Sequence, residues 1–407
     1  MPSAARIMQR CDSLARHSEL AGGLTRVFLS REYRAATEEV LGWMREAGMQ
    51  AKLDAIGNVA GRYEGTRTGL PCLMLGSHLD TVRDAGRYDG MLGVITAIEC
   101  VAALNNRGKR LPFAIEVLGF GDEEGVRFGT SMLGSRAVSG TLDPATLQMR
   151  DASGATIAEA LKAIGLGERI EAVARKKGQV LGYAELHIEQ GPVLESEGLP
   201  VGVVSAINGF SRLKATITGM AGHAGTVPMK LRKDALAAAA ECVLAIERIA
   251  RADPELVGTV GRIEAKPGAI NVIPGEVQFT IDFRAPRDPL REEAVRSAIA
   301  AVEKIAADRG LGAKVESIQQ LGVTACAPWL IEQFERAVAG EGVRVRRLPS
   351  GAGHDGQAIQ AIADVAMLFV RCKDGVSHNP AESITEADAG VGARTLLRFI
   401  ENFEARG

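Results

Sequence analysis

Four short apolar runs constrain this chain most: CLMLG (72–76), FAIEVLG (113–119), AELHI (184–188) and VAMLFVRC (365–372). Each is too short for a helix core and is bounded by glycine, proline or polar residues, so each predicts a buried strand. Helical periodicity separates them, in REYRAATEEVLGWMREA (31–47), which ends at Gly48, and in MLGVITAIECVAAL (91–104). Strands alternating with helices predict an α/β layer around a mostly parallel central sheet.

Near residue 210 the texture changes. SRLKATITG alternates as a half-exposed strand does, and DALAAAAECVLAIERIARA (234–252) is helical. GTVGRIEA, VQFTIDFRA and a second helix around 290–308 then complete a β-α-β-β-α-β-like pattern. After about 327 the α/β texture returns, with a helix from WLIEQFERAVAG and a last one near 386–403. The expected fold is therefore an α/β domain (1–211 and 327–407) interrupted by an inserted α+β, ferredoxin-like domain (212–326). A chain of 407 residues is long enough for two cores.

The bulk composition excludes several classes. The formal net charge is −2 and no basic block stands out, so nucleic acid and anionic membranes are not expected partners. No stretch approaches the roughly 20 apolar residues of a membrane span, and the N-terminus does not read as a signal peptide. Six cysteines without CxxC spacing predict reduced, mostly buried thiols in a cytoplasmic protein, with neither a disulfide framework nor a cysteine metal site.

The chemistry sits where the strands stop. Five of the six histidines lie in loops beside Gly, Asp, Glu or Asn: His78 in GSHLDTV, His187 in ELHIEQGP, His223 in GMAGHAGTVPM, His354 in GAGHDGQ and His378 in GVSHNPAE. Only His17 lacks such a setting. A single histidine is most simply a capped or core residue; five in this setting are not so easily dismissed. In open α/β sheets ligands bind beyond the carboxyl ends of the strands. GSHLD, the acidic GDEEGVRF, HIEQ and SHNP all follow strand runs, and Asp89 in RYDGMLGV precedes a helix at the same edge. Imidazoles and carboxylates without thiolates suit Zn, Mn, Co or Ni. Three consecutive carboxylates, Asp122, Glu123 and Glu124, form either a solvated acidic turn or one side of a cation site, where a dication offsets their repulsion.

The ordered set GSHLDTV, YDGMLGV, GDEEGVRF, HIEQGPVLE, AGHAGTVPM, GAINVIPGEV…DFRAP, SGAGHD and SHNPAE resembles the dinuclear zinc-type amidohydrolases related to aminoacylase and carboxypeptidase metallopeptidases. Within them it is most similar to the ureido-hydrolysing branch: N-carbamoyl-L-amino-acid amidohydrolases, β-ureidopropionases and allantoate amidohydrolases. The resemblance spans nearly the whole chain and implies two divalent metal ions per subunit. His78 and His187 would bind the first, Glu124 and His378 the second, and Asp89 would bridge them. Glu123 would be the general base for a metal-activated water. Asp80 would stand behind His78 and fix its tautomer, and Asp89–Gly90 would be a cis peptide.

The inserted domain would act as lid and dimerisation element. Arg284 and Asn271 would hold a substrate carboxylate, and His223 would polarise the substrate oxygen in a neighbouring subunit. Gln190, Gly353 and His354 would line the substrate, whereas Asp355 reads as a helix cap. Read by themselves, Arg284 is equally a surface strand arginine, and Asn271 a turn residue among Pro267, Gly268 and Pro274. The implied reaction is hydrolysis of a ureido C–N bond in a carboxylate-bearing small molecule, allantoate or an N-carbamoyl-L-amino acid, releasing ammonia and carbon dioxide in a likewise implied homodimer. Competing readings are a dipeptidase or N-acyl-amino-acid deacylase of the same fold, and a non-catalytic binding protein.

Overall fold

The computed structural model describes residues 1–406. The chain divides into two compact units, one of residues 1–205, 326–348 and 352–407, the other of residues 206–325 and 349–351. The short segment Pro349–Gly351 thus joins the second unit, a piece that periodicity could not separate from the α/β texture around it.

The first unit is built on four strands: β1 (Cys72–His78), β2 (Ala114–Phe120), β3 (Val180–Ile188) and β4 (Val365–Val370). They lie side by side in the order β2-β1-β3-β4, and every neighbouring pair is parallel. Antiparallel strands flank them, Val59–Tyr63 beside β2 and Val201–Ile207 beside β4. The sheet is therefore parallel where the chemistry sits and antiparallel at its margins. Every residue of β1, β2 and β4 is buried, as expected where helices cover both faces, and this is why these strands read as continuous apolar runs. The helix Met91–Asn106 packs on β1 and β3 and is buried almost all round. Its one acidic residue, Glu99, is fully buried, and Arg6 and Arg10 donate to its carboxylate at 2.7–2.9 Å. That pairing makes a charge in an apolar helix tolerable.

The second unit has a sheet whose main strands are Gly209–Thr218, Ile263–Lys266, Glu276–Ala285 and Gly312–Leu321, with the short strand Val257–Thr259 also paired to the third of them. All pairings are antiparallel, with the last strand beside the first, then the third, then the second. This is the strand order of a ferredoxin-like sandwich. Two helices, Ala235–Arg251 and Asp288–Asp308, cover one face. Strict alternation in Gly209–Thr218 and Glu276–Ala285 sends Leu213, Ala215, Ile217, Phe279, Ile281 and Phe283 into that core. Small residues on the helices, Ala238, Ala239, Ala294 and Ala298, let them approach the sheet closely.

All six cysteines are free and buried. Among the described residues no helix is long and apolar enough to cross a membrane. The fully buried Phe283 ring is the simplest probe of the second core. Phe283→Ala should cost about 3–5 kcal/mol, read as a lower urea midpoint by circular dichroism.

Candidate metal centre

The carboxyl ends of β1, β2 and β3 and the loop after β4 deliver the candidate ligands. His78 is the last residue of β1 and His187 the penultimate residue of β3. Both rings are buried, with centroids 5.8 Å apart. Their inner nitrogens are committed. His78 Nδ1 lies 3.0 Å from the backbone carbonyl of Asp80, and His187 Nδ1 lies 2.9 Å from that of Ile188. A carbonyl only accepts, so each Nδ1 carries a hydrogen, and in the neutral ring each Nε2 presents a lone pair. Burial opposes a charge on these rings, but the Asp89 carboxylate beside them raises both above the usual imidazole range, so a proton or a cation is favoured at Nε2.

Both lone pairs face one carboxylate oxygen. Asp89 Oδ1 is 3.1 Å from His187 Nε2 and 3.6 Å from His78 Nε2. Asp89 is buried, and neither its Oδ1 nor His187 Nε2 has a hydrogen-bond partner. The other oxygen, Oδ2, is 3.1 Å from His378 Nε2, which lies 3.4 Å from Glu124 Oε1. Two sets of donors thus share Asp89: His78, Asp89 and His187, and Asp89, Glu124 and His378, each with its atoms within 4.8 Å. Carboxylates and imidazoles converging in this way call for positive charge, from protons on the rings or from a cation, and this set of imidazole and carboxylate donors fits divalent cations. His78, His187, Asp89, Glu124 and His378 are the residues able to hold them.

The acidic turn is now accounted for. Its three carboxyls have three environments. Asp122 is fully buried at a positive φ of 60°, and its oxygens have no partner. Burial, reinforced by Asp80, pushes this carboxyl well above the usual range. Glu123 is also raised, chiefly by burial and against the pull of His78, with Glu124 and Asp355 adding to the rise. Glu124 is pushed up to about 7 by burial and by Asp89. A nearby cation reverses the last two shifts by favouring the ionised forms.

Three expectations need correction. Asp80 does not fix His78 through its carboxylate, which stays 4.0 Å from Nδ1; its backbone carbonyl does so. The carboxylate instead accepts the N–H groups of Glu123 at 3.1 Å and Glu124 at 3.2 Å, and so aims the acidic turn. The Asp89–Gly90 peptide is trans; among the described residues the cis bond is Lys266–Pro267. Asp355 stands at the N-cap position of the short helix Gly356–Ile359, yet its side chain caps nothing and is buried.

Of the expected substrate residues in the first unit, Gln190 is the most tightly placed. At a positive φ of 57°, its amide donates to Asp89 Oδ2 at 3.1 Å and to Ser377 Oγ at 3.2 Å. His354 is buried edge-on against His187, centroids 4.5 Å apart, and burial and the neighbouring His187 keep it neutral. A Cβ on Gly353 would sit 4.0 Å from Glu123 Oε1, so this backbone approaches the acidic turn directly.

In the second unit, His223 and Asn271 are neighbours. Gly222–His223 pairs with Val272–Ile273, and the Ala224 N–H donates to the Asn271 carbonyl at 2.9 Å. Both side chains are exposed. Arg284 lines a separate feature, a cavity of about 570 Å³ on the helix-free face of the sheet, with Arg212, Thr280, Asp282 and Ile318. One edge of its guanidinium is paired with Asp282 at 3.1–3.2 Å, and Nη1 donates to the Gly351 carbonyl at 2.8 Å. Glu382, Ser377 and Gly90 were not singled out from the sequence. A carboxylate four residues after His378 in SHNPAE was the available signal for the first.

Residues 74–402 match peptidase family M20/M25/M40. An N-carbamoyl-L-amino acid amidohydrolase of Geobacillus stearothermophilus is 44% identical over 381 residues, 93% of each chain. Allantoate deiminase 1 of Glycine max is 39% identical over 425 residues, covering 97% of this chain and 88% of its own. An amidase of the hydantoinase/carbamoylase family from Burkholderia multivorans has the same fold, with a TM-score of 0.93 at 34% identity over 98% of this chain and 97% of its own.

Gly90 tests the site without touching a ligand. Its φ is 76°, and a Cβ there would lie 2.5 Å from the His78 ring. Gly90→Ala should weaken Zn²⁺ binding by at least about tenfold, measured by titration calorimetry on the metal-free protein.

Proposed function

The chain belongs to peptidase family M20/M25/M40, and within it we propose an amidohydrolase that cleaves the ureido C–N bond of a carboxylate-bearing ureido compound, releasing ammonia and carbon dioxide. The candidate substrates are N-carbamoyl-L-amino acids and allantoate, the compounds for which the similar proteins of Geobacillus stearothermophilus and Glycine max are named. One observation carries the reading: the buried His78 and His187 imidazoles converge on Asp89, and Glu123, assigned as the base, stands in the adjoining turn within reach of His78 and Glu124.

The proposed centre takes two divalent cations, from among Zn, Mn, Co and Ni. His78 and His187 serve one, Glu124 and His378 the other, and Asp89 both. When bound, such ions polarise a carbonyl oxygen and lower the pKa of water. The chain's own work is to place protons. Glu123 takes the proton of the attacking water and returns it to the departing nitrogen. Asp80 supports this by accepting the backbone N–H groups of Glu123 and Glu124, which orients that turn. The Gln190 amide, already beside Asp89 and His378, offers a hydrogen-bond donor to the ureido group. Gly353 gives the acidic turn room, and buried, neutral His354 fixes one wall of the site beside His187.

In the second unit, Arg284 and Asn271 are assigned to the substrate carboxylate and His223 to its oxygen. The exposed His223 ring has Nδ1 engaged by the Gly225 N–H at 3.0 Å, which leaves Nε2 available. The same resemblance supports a lid and dimerisation role for this unit and a homodimer. Six free, buried thiols agree with a cytoplasmic location.

Chelator-treated protein should release no ammonia. Zn, Mn, Co or Ni added back should restore release from allantoate or from N-carbamoyl-L-amino acids, with little amine from a dipeptide or an N-acetyl amino acid. Amine release alone would move the protein to the peptidase branch. Glu123→Gln should keep its cations, counted by metal analysis, while kcat falls by about 10²–10⁴-fold. An unchanged kcat would overturn the base assignment.

A further inference from the structure

Glu382 is buried, 4% exposed, and lies outside both sets of metal donors. Its Oε1 accepts the backbone N–H groups of Tyr88 at 2.8 Å and Asp89 at 3.2 Å. Its Oε2 accepts the Ser377 hydroxyl at 3.0 Å, and that hydroxyl lies 3.3 Å from Asp89 Oδ2. Ser377 immediately precedes His378, which has a positive φ of 53°. One carboxylate therefore ties the backbone carrying the shared ligand, Asp89, to the loop carrying His378, across 293 residues of sequence.

Gly86 completes the arrangement. A Cβ there would fall 2.2–2.3 Å from Glu382 Cδ, Cβ and Oε1. The backbone at Gly86 is outside the left-handed region, so alanine is conformationally allowed, and the three atoms nearest to its methyl group would all belong to Glu382. The missing methyl group is the space that the Glu382 side chain occupies.

We infer that Glu382 is a positioning residue of the metal centre: a clamp, seated against Gly86, that sets the position of Asp89 relative to His378. This rests on the metal reading above. Removing such a support lets a ligand drift, and supports of this kind typically matter by one to two orders of magnitude in affinity. The clamp works through accepted hydrogen bonds. Glutamine keeps an oxygen for both N–H groups and turns its NH₂ to the Ser377 hydroxyl, so it should substitute; alanine should not.

The test is Co²⁺ binding to the metal-stripped full chain, by chelator competition and by visible absorption of the Co²⁺ protein, with thermal melting of the metal-free protein alongside. Gly86→Ala and Glu382→Ala should each weaken Co²⁺ binding by roughly 10–100-fold and alter the absorption bands. Glu382→Gln should stay within about threefold of the unaltered protein, because the acceptor is kept. The double variant Gly86→Ala, Glu382→Ala should be no weaker than Glu382→Ala alone, since the added methyl then has nothing to displace. Should Glu382→Ala fail to fold, Gly86→Ala and Glu382→Gln decide the matter between them. Unchanged Co²⁺ affinity in Gly86→Ala, equal losses in the alanine and glutamine variants, or additive losses in the double variant would each overturn the clamp. Failure of the unaltered protein to bind Co²⁺ would overturn the metal reading itself, and the clamp with it.

Discussion

The buried carboxylate of Asp89 faces three imidazole nitrogens, two on buried rings and one on the exposed ring of His378. Two of those rings are held from behind by backbone carbonyls at Nδ1, so in the neutral ring the inward nitrogen brings a lone pair. Such a meeting of acceptors is unfavourable in a dry interior unless positive charge intervenes. Much of the first unit holds these atoms in place. The parallel strands bring their carboxyl ends together, the Asp80 carbonyl turns one ring and Gly90 leaves room for it. Protons can supply the charge as well as metal ions, and the mixture of imidazole and carboxylate donors gathered around the shared carboxylate is a set that suits divalent cations.

The acidic turn after β2 shows how one short stretch can hold three carboxyls with different tasks. Asp122 turns inward at a positive φ, where burial disfavours its charged form. Glu124 reaches the donor set that contains His378. Glu123 lies between these two, beside the backbone of Gly353. The division follows from the backbone: two successive N–H groups bound to the single carboxylate of Asp80 fix which way each side chain leaves the chain.

The sequence was most legible where one physical cause acted alone. Strands buried on both faces produce unbroken apolar runs, and β1, β2 and β4 were readable for that reason. Alternation in Gly209–Thr218 and Glu276–Ala285 was readable because one face of that sheet meets helices and the other does not. The residues read as ligands lie together because strand ends in a parallel sheet share an edge. What stayed hidden depends on backbone atoms or on distant contacts. The tautomer of His78 is set by a carbonyl, which every residue has, so a nearby carboxylate invited the wrong assignment. Pro349–Gly351 joins the second unit without any shift in composition to announce it. Glu382 looks like one more polar loop residue until Tyr88 and Gly86 are seen against it.

The candidate ligands run from His78 to His378, with the inserted unit lying wholly between the fourth and the fifth of them. Chain order therefore sets a schedule. During synthesis from the N-terminus, His78, Asp89, Glu124 and His187 emerge first, and β3 has its β1 and β2 partners long before β4 exists. His378 and the loop that carries it follow only after more than a hundred further residues. A truncated product that lacks the final segment would keep His78 and His187 but no His378. The donor set that Asp89 shares with Glu124 and His378 thus comes together only after the chain beyond β4 has folded back on the earlier strands.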